Sequence, residues 1–261
     1  MIHKTAIIDS KAKISSTVEV GPYSVIGPDV EIDDDVIIQS HVLITGLTKI
    51  GKKNIFYPMS SIGSDPQDLK YKGEKTSLII GDGNTIREHV TINTGTMQGG
   101  GITKVGNNNL IMIGAHIAHD CIVGNNVVMA NDSAIAGHAV IEDFVIIGAK
   151  CGIQQFVRIG KLAMIGGMTG VSRDVIPYGV STGNRNFLNG INVIGLRRIK
   201  TENKDILILT EAYKEIFKNK SLNNNLSELN NKYKDNHLVE EVIQFINKDK
   251  KRPICTPYSE Q

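Results

Sequence analysis

Two short segments carry the residues whose types and spacing could do chemistry: AHIAHDCIVG at 115–124 and AIAGHAV at 134–140. His119 stands beside Asp120, His116 lies one turn earlier, and Gly137 and His138 follow at a distance of eighteen residues. An imidazole next to a carboxylate suits a general base, because the carboxylate orients the ring and favours the imidazolium. A glycine offers a bare backbone N–H that can hold an oxyanion ~3 Å from a reacting carbon. Together these groups point to acyl transfer to a hydroxyl or an amine. Two other readings stay open at this level. Histidines at a surface corner can simply be solvated, and His116, His119 and His138 could form a three-histidine zinc site of the carbonic anhydrase type. His3, His41, His89 and His237 fall outside the cluster.

The eighteen-residue interval matters because of a repeat. Large apolar residues recur every sixth position from Ile2 to Ile62, at Ile80, Ile86 and Ile92, and again from Val105 to Val171. Glycine often follows (Gly21, Gly27, Gly51, Gly106, Gly124, Gly148), and the fifth position is small or β-branched (Ala6, Val18, Val36, Ala115, Ala139). A helix needs apolar spacings of three and four, a strand a spacing of two. Six fits a short strand plus a tight turn, so three units close one triangular coil of eighteen residues and coils stack ~4.8 Å apart. This register places Gly137 over His119 and His138 over Asp120. Cys121 and Cys151 fall on the inward fifth position and read as core. The repeat breaks at 64–79, where the phase is kept, and at 98–104, where it slips by one. Loops leaving a rigid scaffold are where binding groups gather.

The period ends at Pro177, and 178–190 reads as a connecting loop. Ile206, Leu209, Tyr213, Ile216 and Phe217 then share one helical face; Leu222, Leu226 and Leu229 suggest a second helix, and Leu238, Val239, Val242, Phe245 and Ile246 a third. The expected organisation is a β-solenoid at 1–190 with a small helical domain at 191–261, and a frayed end at RPICTPYSEQ.

Composition narrows the class. Aromatics make up 5% with no Trp, so the core is aliphatic; the net charge of +2 argues against nucleic acid or an anionic membrane as partner. There is no signal-like h-region and no apolar run of membrane-spanning length. Three cysteines at unrelated spacings give neither a disulfide framework nor a Cys-rich zinc site. A soluble, reducing, cytoplasmic setting is the expectation.

The two active segments, together with QDLKYKGE (67–74), IREHVTINTGTMQGGG (86–101) and NVIGLRR (192–198), closely resemble the bacterial UDP-N-acetylglucosamine O-acyltransferases across essentially the whole chain. The resemblance implies a left-handed parallel β-helix, a homotrimer with sites between subunits, and no bound cofactor or metal. It also implies transfer of an (R)-3-hydroxyacyl group from acyl carrier protein to the glucosamine 3-hydroxyl, the first step of lipid A biosynthesis. His119 would be the base, Asp120 its partner and Gly137 the oxyanion donor. Gln67, Asp68, Lys70, Asn93, His116, His138, Gln155, Asn192 and Arg198 would contact substrate, and Gly167 would sit where the family limits acyl length, here leaving the groove open. Asn93, Gln154 and Arg185 replace histidines of better-known members, and Ile194 replaces a glutamate. These departures leave the reaction class alone but put a 3-amino sugar acceptor, with an amide product, beside the hydroxyl. An N-acyltransferase of the same pathway carries an extra N-terminal nucleotide-binding domain, for which hexads starting at Ile2 leave no room. A solenoid used only for protein contacts is the non-enzymatic rival. Arg197, Arg198, Lys200 and Lys204 suit anionic partners.

Overall fold

In the computed structural model, which describes residues 1–249 and 251–258, each hexad places its first residue inward. Ile26, Ile44, Ile62, Ile92, Ile117, Ile135, Ile153 and Val171 are buried in one continuous column, with matching columns on the other two faces. The fourth residue of the hexad takes left-handed backbone angles, with φ of 59° at Asp120, 63° at His138 and 65° at Phe156. Such a residue costs about 1–2 kcal/mol outside glycine. Here it bends the chain at each corner, and the stacked coils offset the strain by burying every strand against its neighbours.

The product is a left-handed parallel β-helix followed by helices. Its three faces hold nine, eight and ten strands. The first face runs from Ile7–Ile8 to Gly170–Val171, the second from Lys13–Ile14 to Arg158–Ile159, and the third from Glu19–Val20 to Phe187–Ile191. Regular coils pair residues eighteen apart, as in Ile117↔Ile135.

Both breaks in the period leave from the corner between the first and second faces; the first is tighter than 64–79, and the second begins and ends earlier than 98–104. Strands Ser61–Ser64 and Ser77–Ile80 bracket the first loop at 65–76; Thr91–Asn93 and Ile102–Val105 bracket the second at 94–101. The four-residue strands on the second face pair in register, Ser77↔Leu47 and Ser77↔Ile102, and so absorb residues that read as loop. Pairing of Ile62 with Ile92 and of Ile92 with Ile117 spans thirty and twenty-five residues. The first loop therefore adds two whole hexads and keeps phase, whereas the second adds seven residues and slips by one. Within these coils Asn54, Asn84 and Asn109 replace the small fifth residue and form a buried ladder, Asn84 Nδ2 donating to Asn54 Oδ1 and Asn109 N–H to Asn84 Oδ1, each at 2.9 Å.

Residues 178–190 are not a simple connection. Gly179–Thr182 and Phe187–Ile191 form an antiparallel hairpin on the third face, turning at Gly183 with φ of 94°. The alternation is too short to register against the six-residue period. Four α-helices follow among the described residues: α1 (Val193–Arg198), α2 (Asn203–Ile216), α3 (Leu226–Lys232) and α4 (His237–Lys248). Helix α2 buries Ile206, Leu209, Ala212 and Ile216, and α4 buries Leu238, Val239, Val242, Ile243, Phe245 and Ile246. Leu222 precedes α3 rather than belonging to it.

The described part of the chain end is docked, not frayed. Asp174 N–H donates to Pro253 O at 2.9 Å, Cys255 N–H returns to Asp174 O at 2.7 Å, and Cys255 is fully buried. Residues 259–261 of that segment lie outside the described residues. The last coil is bolted to α4 by buried Arg158, whose Nε donates to Asp174 Oδ2 at 2.7 Å and whose terminal nitrogens donate to Phe245 O and Asp249 O, both at 3.0 Å. Removing one member of a buried ion pair leaves the other charge uncompensated. Arg158→Ala is expected to lose about 3–5 kcal/mol of unfolding free energy in urea titration, with α4 the first element to gain hydrogen exchange.

Candidate active site

Because both loops and the chemistry-bearing hexads use the same corner, the coil register assembles the site. His119 and Asp120 lie between His116–Ile117 on the first face and Ile122–Val123 on the second; Gly137 and His138 occupy the same place one coil on. A Cβ built on Gly137 would come within 2.5 Å of His119 Cε1, and His138 N–H donates to His119 O at 3.1 Å. The glycine is thus demanded by the ring stacked against it.

His119 Nδ1 lies 2.8 Å from Asp120 Oδ2. The carboxylate can only accept, so Nδ1 carries the proton of this contact, and in the neutral ring Nε2 is the nitrogen with the lone pair. His119 and Asp120 are nearly buried; a ring in this state can take a proton from a hydroxyl or amine. The Gly137 N–H has no hydrogen-bond acceptor among the described residues. At the neighbouring corner two equivalent N–H groups are capped, Asn107 by Asn125 Oδ1 at 2.8 Å and Asn125 by Asp143 Oδ1 at 2.7 Å. A free N–H beside a base is the local requirement for binding an oxyanion.

His138 completes the corner. Its Nε2 lies 3.8 Å from Asp120 Oδ2, and its ring meets His119 edge-on at a centroid distance of 5.2 Å. Its other side stacks on Phe156 at 4.5 Å and 8°. Phe156 falls one coil beyond His138 and was not singled out by sequence, although adding eighteen to 138 finds it. His116 bonds Thr91 Oγ1 through Nδ1 at 2.7 Å. Burial holds both His116 and His138 below the ordinary imidazole range, reinforced at His116 by the nearby His119 and opposed at His138 by Asp120. Cys121, beside the dyad, is buried and its thiol is pushed up to about 12 by desolvation, which suits a core residue and not a nucleophile.

The three-histidine metal set is not assembled. The group whose ligating atoms fall within 4.8 Å of one another is His119, Asp120 and His138, without His116. Asp120 Oδ2 in that group already accepts from His119 and from Thr96 Oγ1, the latter at 2.6 Å.

The remaining sequence candidates divide. Gln67 and Lys70 are exposed on the first loop with Asp68 between them, and the Asp68 charge acts on His138. Asn93 roots that loop, Nδ2 donating to Ser64 O at 3.3 Å and Asp65 O at 3.0 Å, while its buried Oδ1 has no donor among the described residues. Gln155 is exposed one coil beyond Gly137, its carbonyl accepting from Arg252 Nε at 2.9 Å. Gly167 sits at the opposite edge of the first face, where a Cβ would meet Ala149 O at an ordinary 3.4 Å. Packing therefore does not require glycine there. Asn192 caps α1 and ties to Leu162 O at 2.9 Å, at the corner between the second and third faces. Arg198, at the end of that helix, belongs to that part of the molecule too. Neither is brought to His119 by the coil register of this chain.

A left-handed β-helix of hexapeptide repeats with a buried His–Asp pair at its looped corner is the architecture of the hexapeptide-repeat transferases. Comparison with known proteins fixes the family. The model for bacterial transferase hexapeptide repeats matches residues 2–46 and 102–137, and that described as "Udp N-acetylglucosamine O-acyltransferase; Domain 2" matches 174–255. The acyl-[acyl-carrier-protein]–UDP-N-acetylglucosamine O-acyltransferase of Sinorhizobium fredii is 41% identical over 98% of this chain and 95% of its own; that of Rhizobium johnstonii is 42% identical over 98% and 94%. The structure of LpxA from Acinetobacter baumannii superposes with a TM-score of 0.93 at 40% identity, covering 97% of this chain and 99% of that one. The chain belongs to the acyl carrier protein-dependent UDP-N-acetylglucosamine O-acyltransferases.

The downward-shifted histidines give a pH signature. Their unfolded forms bind protons below about pH 6.5, while the folded forms resist. Stability is fully present above that value and falls as pH drops through the window below it. Between pH 7 and 5 the urea midpoint of the wild type is expected to fall more steeply than that of His138→Asn; equal slopes would remove His138 from the account.

Proposed function

We propose that this protein transfers an (R)-3-hydroxyacyl group from acyl carrier protein to the glucosamine 3-hydroxyl of UDP-N-acetylglucosamine, opening lipid A biosynthesis. The observation that carries the mechanism is the His119–Asp120 contact packed against Gly137, whose N–H has no acceptor among the described residues. His119 Nε2 removes the proton of the 3-hydroxyl as its oxygen attacks the thioester carbonyl carbon. The carbonyl π electrons move to oxygen, and that oxyanion accepts the Gly137 N–H. Collapse re-forms the carbonyl, breaks the C–S bond and expels the carrier thiolate, which takes the proton from the His119 imidazolium. Asp120 stays ionised throughout. His116 and His138, whose burial disfavours the charged ring, line the acceptor side with Gln67, Asp68, Lys70, Asn93 and Gln155.

A homotrimer is part of the same reading. Most outward residues of the third face are apolar, Ile37, Ile55, Leu110, Val128, Ile146 and Met164, with Glu19 and Thr85 the exceptions. A partly exposed stripe of this kind suits burial against identical chains. The family resemblance, in which the sites lie between subunits, is what would set Asn192 and Arg198 of one subunit against the dyad of its neighbour. The outward residues of the first face shrink from His116 to Ala134, Gly152 and Gly170, leaving a furrow fit for an acyl chain with Gly167 at its edge. The donor and acceptor place the reaction in the cytoplasm, and among the described residues no helix is long and apolar enough to cross a membrane.

Asn93 favours a second reading. Its buried, donorless Oδ1 would be served by an acceptor with a further N–H, so a 3-amino sugar nucleotide giving an amide is the rival acceptor. Steady-state assays with both acceptors and carrier thioesters of several lengths test these assignments together. His119→Ala is expected to lower kcat about 10²–10⁴-fold; a variant at full rate would remove it as the base. Gly167→Met should shift preference to shorter chains, and an unchanged length profile would clear Gly167 of that role.

A further inference from the structure

The insertion at 94–101 breaks a period that every coil after it obeys, and it buries no apolar side chain in its 3₁₀ turn Met97–Gly99. Its polar contacts converge elsewhere. Thr96, buried to 1% exposure, donates its N–H to Asp120 Oδ1 at 2.8 Å and its hydroxyl to Asp120 Oδ2 at 2.6 Å. Gly99 N–H in turn donates to Thr96 Oγ1 at 3.2 Å. A Cβ on Gly99 would lie 2.0 Å from Asp120 Cγ, so the turn closes directly over the carboxylate. From below, Thr103 Oγ1 accepts the Asp120 N–H at 2.8 Å. A regular eighteen-residue coil passes one corner residue over Asp120 and has no segment placed to reach both of its oxygens; the seven added residues supply one.

We propose that Thr96, with Gly99, is a positioning residue that sets the tautomer and aim of His119 through Asp120; this rests on the acyl-transfer reading above. The directions of the hydrogen bonds make the case. The carboxylate can only accept, and Thr96 Oγ1 already accepts from Gly99, so its proton points to Oδ2. The two Thr96 donors then hold one on each oxygen and fix the carboxylate plane, and His119 Nδ1–H is the third donor, on Oδ2. The turn also reaches the first loop, Thr76 Oγ1 donating to Thr94 Oγ1 at 3.1 Å, so the loop bearing Gln67, Asp68 and Lys70 is braced by the same insertion.

The test compares Thr96→Val, which keeps shape and loses the hydroxyl, with Thr96→Ser, which keeps the hydroxyl, in the full-length protein. Loss of one charged hydrogen bond predicts a fall in kcat of about tenfold to a hundredfold for the valine variant, with both KM values within about twofold and serine within about threefold of wild type. Nitrogen-15 histidine spectra supply a readout independent of turnover: His119 should be the Nδ1–H tautomer in the wild type and a mixture in Thr96→Val. Full rate and an unchanged tautomer in the valine variant would overturn the proposal, as would equal losses in valine and serine with the tautomer intact. Gly99→Ala should mimic valine. The spectra decide the role of Thr96 even if neither acceptor is acylated, an outcome that would strike only the acyl-transfer reading.

Discussion

Everything in this molecule depends on one constraint, the pairing of each inward aliphatic residue with its counterpart one coil away. That register is non-negotiable because a shift of one residue would turn the Ile and Val columns outward and the polar corners inward. Once it is kept, position along the chain becomes position on a prism. The dyad, the free glycine N–H and the second histidine stack on one edge because their sequence numbers differ by eighteen.

That arithmetic explains why so much was legible in advance. The β-helix, the stacking of Gly137 on His119 and of His138 on Asp120, and the buried nature of Cys121 follow from counting hexads. Less was legible where contacts leave the period. Thr96 lies twenty-four residues before Asp120, an interval that means nothing until the insertion is folded over the corner. The hairpin at 179–191 and the docking of residues 252–258 were missed for a related reason: short alternations and single backbone bonds to Asp174 carry no periodic trace. Phe156 was within reach of the counting but lacked a reason to be noticed, since a lone aromatic at a corner carries no charge and no proton.

The two loops show how a repeat acquires a site without losing its core. Each extra segment leaves and rejoins at the same edge, and the interior columns run past undisturbed. One insertion preserves the six-residue phase and the other breaks it, yet both return their strands to the same pairing on the second face. Of the departures from the family pattern, Asn93 ends a solenoid strand at the root of the first loop and Ile194 lies on α1, and neither makes a contact with the His119–Asp120 pair among those described.

The docked chain end carries a consequence of another kind. A stack of parallel strands has no intrinsic stopping point, and its terminal coil presents a row of unpaired amides and carbonyls to any similar edge. In this chain the last rung is closed off: Asp174 pairs with Ile254, and the hairpin strand Phe187–Ile191 runs antiparallel to its neighbour, a direction the next coil of another molecule could not continue. Read this way, the C-terminal segment is also a terminator, and it sets the length of a scaffold that would otherwise be free to grow end to end.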